Sequence, residues 1–272
     1  MFNVIVAGAG KIGALITLQL LHSSDYNILL LDRDFSHPDS QRLGEHPALT
    51  RQQIDVNDQD ALYKTFSTGK YDAVISALPF FANPFIADVA KQANIHYFDL
   101  TEDRAATAHI KKIAEHSKKV FVPQCGLAPG FIGLAAYHLI QRFDKVNTVK
   151  MRVGALPVNT NNALKYALTW STEGLINEYC NPCLAIRAGK PIELEPLEGL
   201  ELIELDGTLY EAFNTSGGLG QLVDVCAGTV NDMDYKTIRY PGHCEKIKFL
   251  MQDMKLVNDR VLLKTLLESC IP

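Results

Sequence analysis

Gly8-Ala9-Gly10-Lys11-Ile12-Gly13 is the stretch from which the rest of the chain is read. A G-x-G-x-x-G string alone is weak evidence, because glycines cluster in many turns. Here it lies between the β-branched run Phe2–Ala7 (FNVIVA) and Ala14–His22, whose apolar residues crowd one helical face. In a strand, tight turn and helix, Gly8 makes the turn, Gly10 lets backbone approach a pyrophosphate, and Gly13 lets helix and strand pack closely. The N–H groups of Lys11, Ile12 and Gly13 then open the helix with a partial positive charge. Asp32 stands 19 residues beyond Gly13, at the end of the run Asn27–Asp32. A carboxylate there accepts from the ribose hydroxyls and repels a 2′-phosphate, so NAD is the expected cofactor and NADP the alternative. Arg33 can soften that preference by stacking on adenine or pairing with a 2′-phosphate.

The same grammar continues outward. Ala73–Ala77, Ile95–Leu100 and Lys119–Val122 read as further strands, Ile54–Val56 as a short one, and Asp58–Phe66, Pro84–Gln92 and Ala105–Ser117 as helices. Strands that are hydrophobic throughout are expected where helices cover both faces of a parallel sheet. The fold class is therefore α/β, a doubly wound Rossmann sheet. Ligands of such sheets sit outside the carboxyl ends of the strands. That places the turn Ser76-Ala77-Leu78-Pro79 beneath the cofactor, with Ala77, Leu78 and Pro79 as contacts, and sets Asp55 and Val56 beside adenine.

After Val122 the pattern changes. Pro129–Phe143 reads as a helix, and strand candidates follow at Thr148–Val153, Ile192–Leu194, Leu200–Leu205, Leu209–Phe213 and Lys236–Tyr240. Most gaps between them are too short for helical crossovers, which predicts a second α+β domain on a mostly antiparallel or mixed sheet. The expected division is 1–143 for the dinucleotide domain and 144–272 for a substrate and dimerisation domain. The last ~25 residues are a candidate for packing back on the first domain.

Composition narrows the function classes. With 47% apolar and 21% charged residues the chain reads as globular, and a net charge of −5 offers no basic field for nucleic acid. The first apolar stretch is broken by glycines and lacks a basic leader, so neither a signal peptide nor a spanning helix is expected, which points to the cytoplasm. Six cysteines with one C-x-x-C pair, Cys180 and Cys183, suggest reduced thiols and no metal site.

Phe98-Asp99-Leu100-Thr101-Glu102-Asp103 gathers three carboxylates at the end of the fifth strand, and Asp99 and Glu102 are the candidate catalytic residues. A structural alternative is that Thr101 caps the following helix while Glu102 and Asp103 complement its dipole. His96 sits about 10 Å back along that strand.

GAGKIG, FDLTED, CGLAPGF at Cys125–Phe131 and KTIRYPGHCEKIKFL at Lys236–Leu250 together resemble the saccharopine dehydrogenase-like family of saccharopine reductases and lysine 6-dehydrogenases. The aspartate after the glycine turn, and APG at Ala128–Gly130, look more similar to the lysine 6-dehydrogenase branch. The resemblance implies an NAD(P)-dependent oxidoreductase acting at the C–N bond of an amino acid, and a homodimer paired through its sheet domain. A saccharopine reductase using NADP is the alternative enzyme. Relatives usually continue into further strands and a last helix where this chain ends, at Ile271-Pro272. The rival expectation is thus a cofactor-binding protein with an incomplete substrate domain and no turnover.

Oxidising a C–N bond requires a base to take the ammonium proton, and an amino-acid carboxylate suits a bidentate guanidinium. Arg239 is the leading candidate for that carboxylate, with Tyr240 and His243 beside it. The alternative is an interdomain salt bridge for Arg239 and a helix cap for His243. Tyr166, Trp170 and Ser171 either line an apolar pocket or form part of a helix core.

Overall fold

The computed structural model describes residues 1–271, with Pro272 outside the described residues, and separates into two compact units that divide between Gly126 and Leu127. The first unit alternates strand and helix: β1 (Phe2–Ala7), α1 (Lys11–Ser23), β2 (Tyr26–Asp32), α2 (Pro38–Arg42), β3 (Leu49–Gln53), α3 (Gln59–Thr68), β4 (Ala73–Ser76), α4 (Asn83–Gln92), β5 (His96–Asp99), α5 (Arg104–Ala114) and β6 (Phe121–Val122). All six strands run parallel in the order β3-β2-β1-β4-β5-β6. Ile5, Val6 and Ala7 are fully buried because helices lie on both faces of β1, and their side chains alternate between two apolar clusters. Each large aliphatic side chain enclosed in this way contributes about 1.5–3 kcal/mol. Beyond α1 the cover thins, and Phe2, Tyr26, Ile75, His96, Phe98 and Val120 line an open, mostly apolar groove of about 560 Å³.

Two expectations for this unit need correction. The third strand is the polar run Leu49-Thr-Arg-Gln-Gln53, not Ile54–Val56. It is the edge strand, paired only with β2, and edges favour polar and charged side chains. The cap of α5 is Asp103, whose Oδ1 accepts from Ala106 N–H at 2.7 Å, while Thr101 Oγ1 accepts from Asp103 N–H.

The second unit comprises α6 (Phe131–Ile140), β7 (Val146–Val153), α7 (Thr172–Cys180), β8 (Cys183–Arg187), β9 (Lys190–Leu194), β10 (Glu201–Leu205), β11 (Thr208–Asn214), α8 (Leu222–Cys226), β12 (Val230–Arg239), α9 (His243–Lys248) and α10 (Arg260–Cys270). Its sheet is mixed, in the order β10-β11-β12-β8-β9, with β7 pairing β12 in parallel and the other neighbours antiparallel. Helix α6 belongs here and not to the first unit, because Ile132, Ala136 and Ile140 join one apolar cluster with Met151, Leu222 and Tyr235. Gly130, at φ +133°, precedes it, so the helix begins at Phe131 and not at Pro129. The C-terminal segment likewise packs within its own unit: Leu263, Leu267 and Ile271 lie in the cluster that holds Leu175, Ile176 and Tyr179 of α7.

Candidate functional site

The turn after β1 separates two requirements for glycine. Gly8 has φ +103°, and a Cβ there would come within 3.0 Å of the Ala77 carbonyl; a Cβ at Gly13 would fall 1.8 Å from the Gly8 carbonyl. Both are explained by the chain's own packing. Gly10 is different: with φ −70° and ψ −170° it is unstrained for any residue, and a Cβ would meet nothing within 4 Å. A glycine the protein itself does not need leaves room for a partner that approaches the backbone. Gly10 is also the N-cap of α1 and contributes no capping side chain, so the first turn of the helix receives no side-chain oxygen from its own cap position. The residues present thus fit a dinucleotide pyrophosphate.

Strand order reverses between β1 and β4, the point at which open α/β sheets bind ligands. Ala77 N–H donates to Ala7 O at 2.8 Å, and Leu78 Cδ2 lies 3.4 Å from the position of a Gly8 Cβ, so this turn closes directly against the glycine turn. Pro79 follows, half-buried. Asp32 ends β2 with its carboxylate on the same turn: Oδ2 accepts from Ala9 N–H at 2.6 Å and Oδ1 from Asp34 N–H at 3.1 Å. Arg33 is exposed, and its carbonyl accepts from Gln53 Nε2. Asp55 and Val56 fall just past β3, beside Ile54, whose N–H donates to Asp32 O; Asp55 Oδ1 accepts from Asn57 in a turn leading to α3.

At the end of β5 the three carboxylates part company. Asp99 is fully buried: Oδ1 accepts from Thr101 N–H (2.8 Å) and Gln124 N–H (3.1 Å), and Oδ2 from Tyr97 Oη–H (2.7 Å). Burial raises its pKa above the ordinary aspartate value, with the Tyr97 hydroxyl and both amides pulling it back down. Asp99 therefore ties the turn after β5 to the one after β6, where Cys125 N–H also donates to Asp99 O. Tyr97, missed in the sequence, lies two residues before Asp99 and so on the same face of the strand. Ser76 Oγ–H donates to Asn83 Oδ1 in the same buried region, beneath the turn after β4. Glu102 is 9% exposed, and Asp103 is the helix cap.

The residues Arg239, Tyr240 and His243 belong to the second unit. Arg239 ends β12 and is 3% exposed. Its Nε–H donates to Tyr179 Oη at 3.1 Å, and its Nη1 donates to Thr237 Oγ1 (2.6 Å) and Ile238 O (2.8 Å). The guanidinium carbon lies 4.6 Å from the Tyr166 ring centroid. With three of the five guanidinium hydrogens committed, the bidentate fork expected for a carboxylate is not available at Arg239; among the described residues Nη2 keeps the other two. His243, 1% exposed, starts α9 and does not cap it: Nδ1 faces Leu164 O at 2.8 Å and Nε2 faces Tyr179 Oη at 3.0 Å. Burial, and after it the Arg239 charge, push its pKa down to about 3. Tyr240 Oη–H donates to Pro157 O, and its ring lies 5.5 Å from that of Tyr210. Tyr166 and Trp170 are not in a helix; Trp170 Nε1–H donates to Tyr166 Oη, and Ser171 caps α7. Among the described residues no cluster of three His, Cys, Asp or Glu side chains is placed to hold a metal, and no helix is long and apolar enough to cross a membrane.

A Rossmann sheet with an open glycine turn at its switch point, followed by a separate mixed-sheet unit, defines a two-domain dinucleotide-binding protein. The family model of the saccharopine dehydrogenase NADP binding domain matches residues 4–121, and that of the saccharopine dehydrogenase C-terminal domain matches residues 126–267. The chain belongs to the saccharopine dehydrogenase family. It is 26% identical over 157 residues to a saccharopine dehydrogenase [NADP(+), L-glutamate-forming] of Schizosaccharomyces pombe, a match covering 56% of this chain and 34% of that one. With the mitochondrial alpha-aminoadipic semialdehyde synthase of Mus musculus it shares 24% over 199 residues, 71% of this chain and 21% of that one. The matches thus span 34% and 21% of these relatives' own length. In fold it is similar to apo saccharopine dehydrogenase (L-Glu forming) from Saccharomyces cerevisiae, with a TM-score of 0.72 at 21% identity, covering 92% of this chain and 58% of the other.

Proposed function

We propose that this chain forms the cofactor-binding and substrate-domain parts of an NAD(P)-dependent oxidoreductase acting at the C–N bond of an amino acid. The observation that carries this reading is Gly10, a glycine open to an outside ligand at the switch point of a sheet whose family is named for dinucleotide binding. Gly8, Gly10 and the first-turn amides of Lys11, Ile12 and Gly13 hold the pyrophosphate, and Asp32 receives the adenosine ribose hydroxyls. Ala77, Leu78 and Pro79 form the floor, while Arg33, Asp55 and Val56 border the adenine end. The bound dinucleotide supplies the hydride acceptor.

The Asp32 carboxylate favours a free 2′-hydroxyl and thus NAD, whereas the names of the family and of the S. pombe relative favour NADP. Fluorescence titration with NADH and NADPH decides between them. For proton removal Glu102 is the stronger candidate, since Asp99 is occupied by three donors of its own chain and acts by holding the turn that carries Glu102. Asp99→Asn can keep every one of these bonds: its oxygen accepts both amides, its nitrogen donates to Tyr97 Oη, and Tyr97 donates instead to Asn83 O, now 3.2 Å away. Turnover should survive in Asp99→Asn and fall by about 10²-fold or more in Glu102→Gln. The reverse result makes Asp99 the proton acceptor.

Two substrates fit the reading. The names of the relatives favour the secondary amine of saccharopine, and the Asp32 and APG resemblances favour the ε-amine of lysine. Nicotinamide absorbance followed with saccharopine, L-lysine and a panel of diamines separates them. Cofactor binding without turnover of any amine would leave a binding protein and refute the enzyme reading.

A further inference from the structure

Arg239 is a buried cation to which no carboxylate is bonded among the described residues, although Glu178 acts on it through space. Its Nη2 has no hydrogen-bond partner among the described residues. Arg239 as a whole keeps 3% of its surface exposed. The guanidinium cannot turn without breaking its bonds to Tyr179, Thr237 and Ile238 and leaving the face of Tyr166.

The partners of Arg239 are fixed in their turn. Leu164 O can only accept, so the neutral His243 ring carries its proton on Nδ1 and offers a lone pair at Nε2. Tyr179 Oη–H therefore donates to His243 Nε2, which leaves the Tyr179 oxygen to accept from Arg239 Nε–H. The chain from Leu164 O through His243 and Tyr179 to Arg239 permits one arrangement of protons.

We propose that Tyr179 and His243 are positioning residues that hold Arg239 so that Nη2 alone meets one oxygen of an amino-acid carboxylate. The inference rests on the reading of this chain as a protein that binds amino acids. It replaces the bidentate grip with a one-point contact whose direction is set by the surrounding hydroxyl, imidazole and aromatic ring.

The test pairs L-lysine with cadaverine, the same diamine without the carboxylate, and measures their affinity calorimetrically for the NADH-loaded protein. Wild type should prefer lysine; equal affinities would overturn the proposal. Tyr179→Phe should lower lysine affinity by about tenfold, leave cadaverine within about twofold, and leave NADH affinity unchanged. A variant that weakens both amines equally, or neither, shows that Tyr179 has only a structural role and overturns the proposal. Should Tyr179→Phe fail to fold, His243→Asn, which retains a donor and an acceptor, is compared with His243→Leu. Preference for lysine kept in the first and lost in the second supports positioning, and the same preference in both opposes it. Turnover is measured in parallel. A carboxylate-dependent affinity that Tyr179→Phe abolishes, in a protein that oxidises no amine, would leave the positioning role standing and the enzyme reading refuted.

Discussion

Gly8–Gly13 and Arg239–His243 are two short motifs of the same chain, and the molecule spends them in opposite directions. At the first, a position with no internal task faces outward: Gly10 borders empty space and supplies no capping side chain to α1. At the second, most of the chemistry is turned inward: Arg239 and His243 are both nearly enclosed and bonded to their own unit. A motif rich in functional groups is thus a weaker sign of a ligand than one that leaves space unused.

The largest test of this contrast is Arg239→Lys. A lysine cannot replace the three hydrogen bonds or the stacking on Tyr166, and about 3 kcal/mol or more should be lost in urea unfolding. Unchanged stability would mean that Arg239 faces outward after all. Next comes a pair within the glycine turn. Gly13→Ala should cost about 1–3 kcal/mol, since its Cβ would overlap the Gly8 carbonyl. Gly10→Ala should leave the melting temperature unchanged while weakening NADH binding about tenfold, and equal destabilisation by the two would erase the distinction.

The third test uses acid. His243 titrates near 6.5 when unfolded and is pushed down to about 3 when folded, so its contribution to stability is complete above pH 6.5 and lost as pH falls toward 3. The expected slope is about 1.4 kcal/mol per pH unit across that window. It should fall by about that amount in His243→Leu; an unchanged slope would assign it to other groups. The smallest effect is expected for Asp32→Ser, which should narrow any preference for NADH over NADPH by about three- to tenfold in fluorescence titration.

The first unit was legible because its signals are local. Strand, turn and helix follow within about two dozen residues, and parallel strands buried on both faces announce themselves as apolar runs. Where that signal fails, so does the reading: β3 is an edge strand whose Thr50, Arg51, Gln52 and Gln53 carry no apolar pattern. Thr101 and Asp103 are both good caps by residue type, and only the start of α5 at Arg104 selects the second. In the second unit the decisive contacts span the chain, with Tyr179 60 residues from Arg239 and 64 from His243, and Leu164 79 from His243. No periodicity links residues so far apart, and Tyr179 sits in an ordinary helical stretch. Its role was not visible before folding, and neither was the inward use of Arg239.

One consequence of the Asp32 contact concerns the heat of cofactor binding. The carboxylate already holds Ala9 N–H and Asp34 N–H, so the glycine turn and the segment after β2 are joined before any ligand arrives. Association then requires little folding of loops, and the heat-capacity change on binding should reflect only the surface that the dinucleotide itself covers. A calorimetric series across temperature would read this as a small, constant negative slope. Removing the carboxylate releases both amides, and the slope should steepen as the turn orders around its ligand.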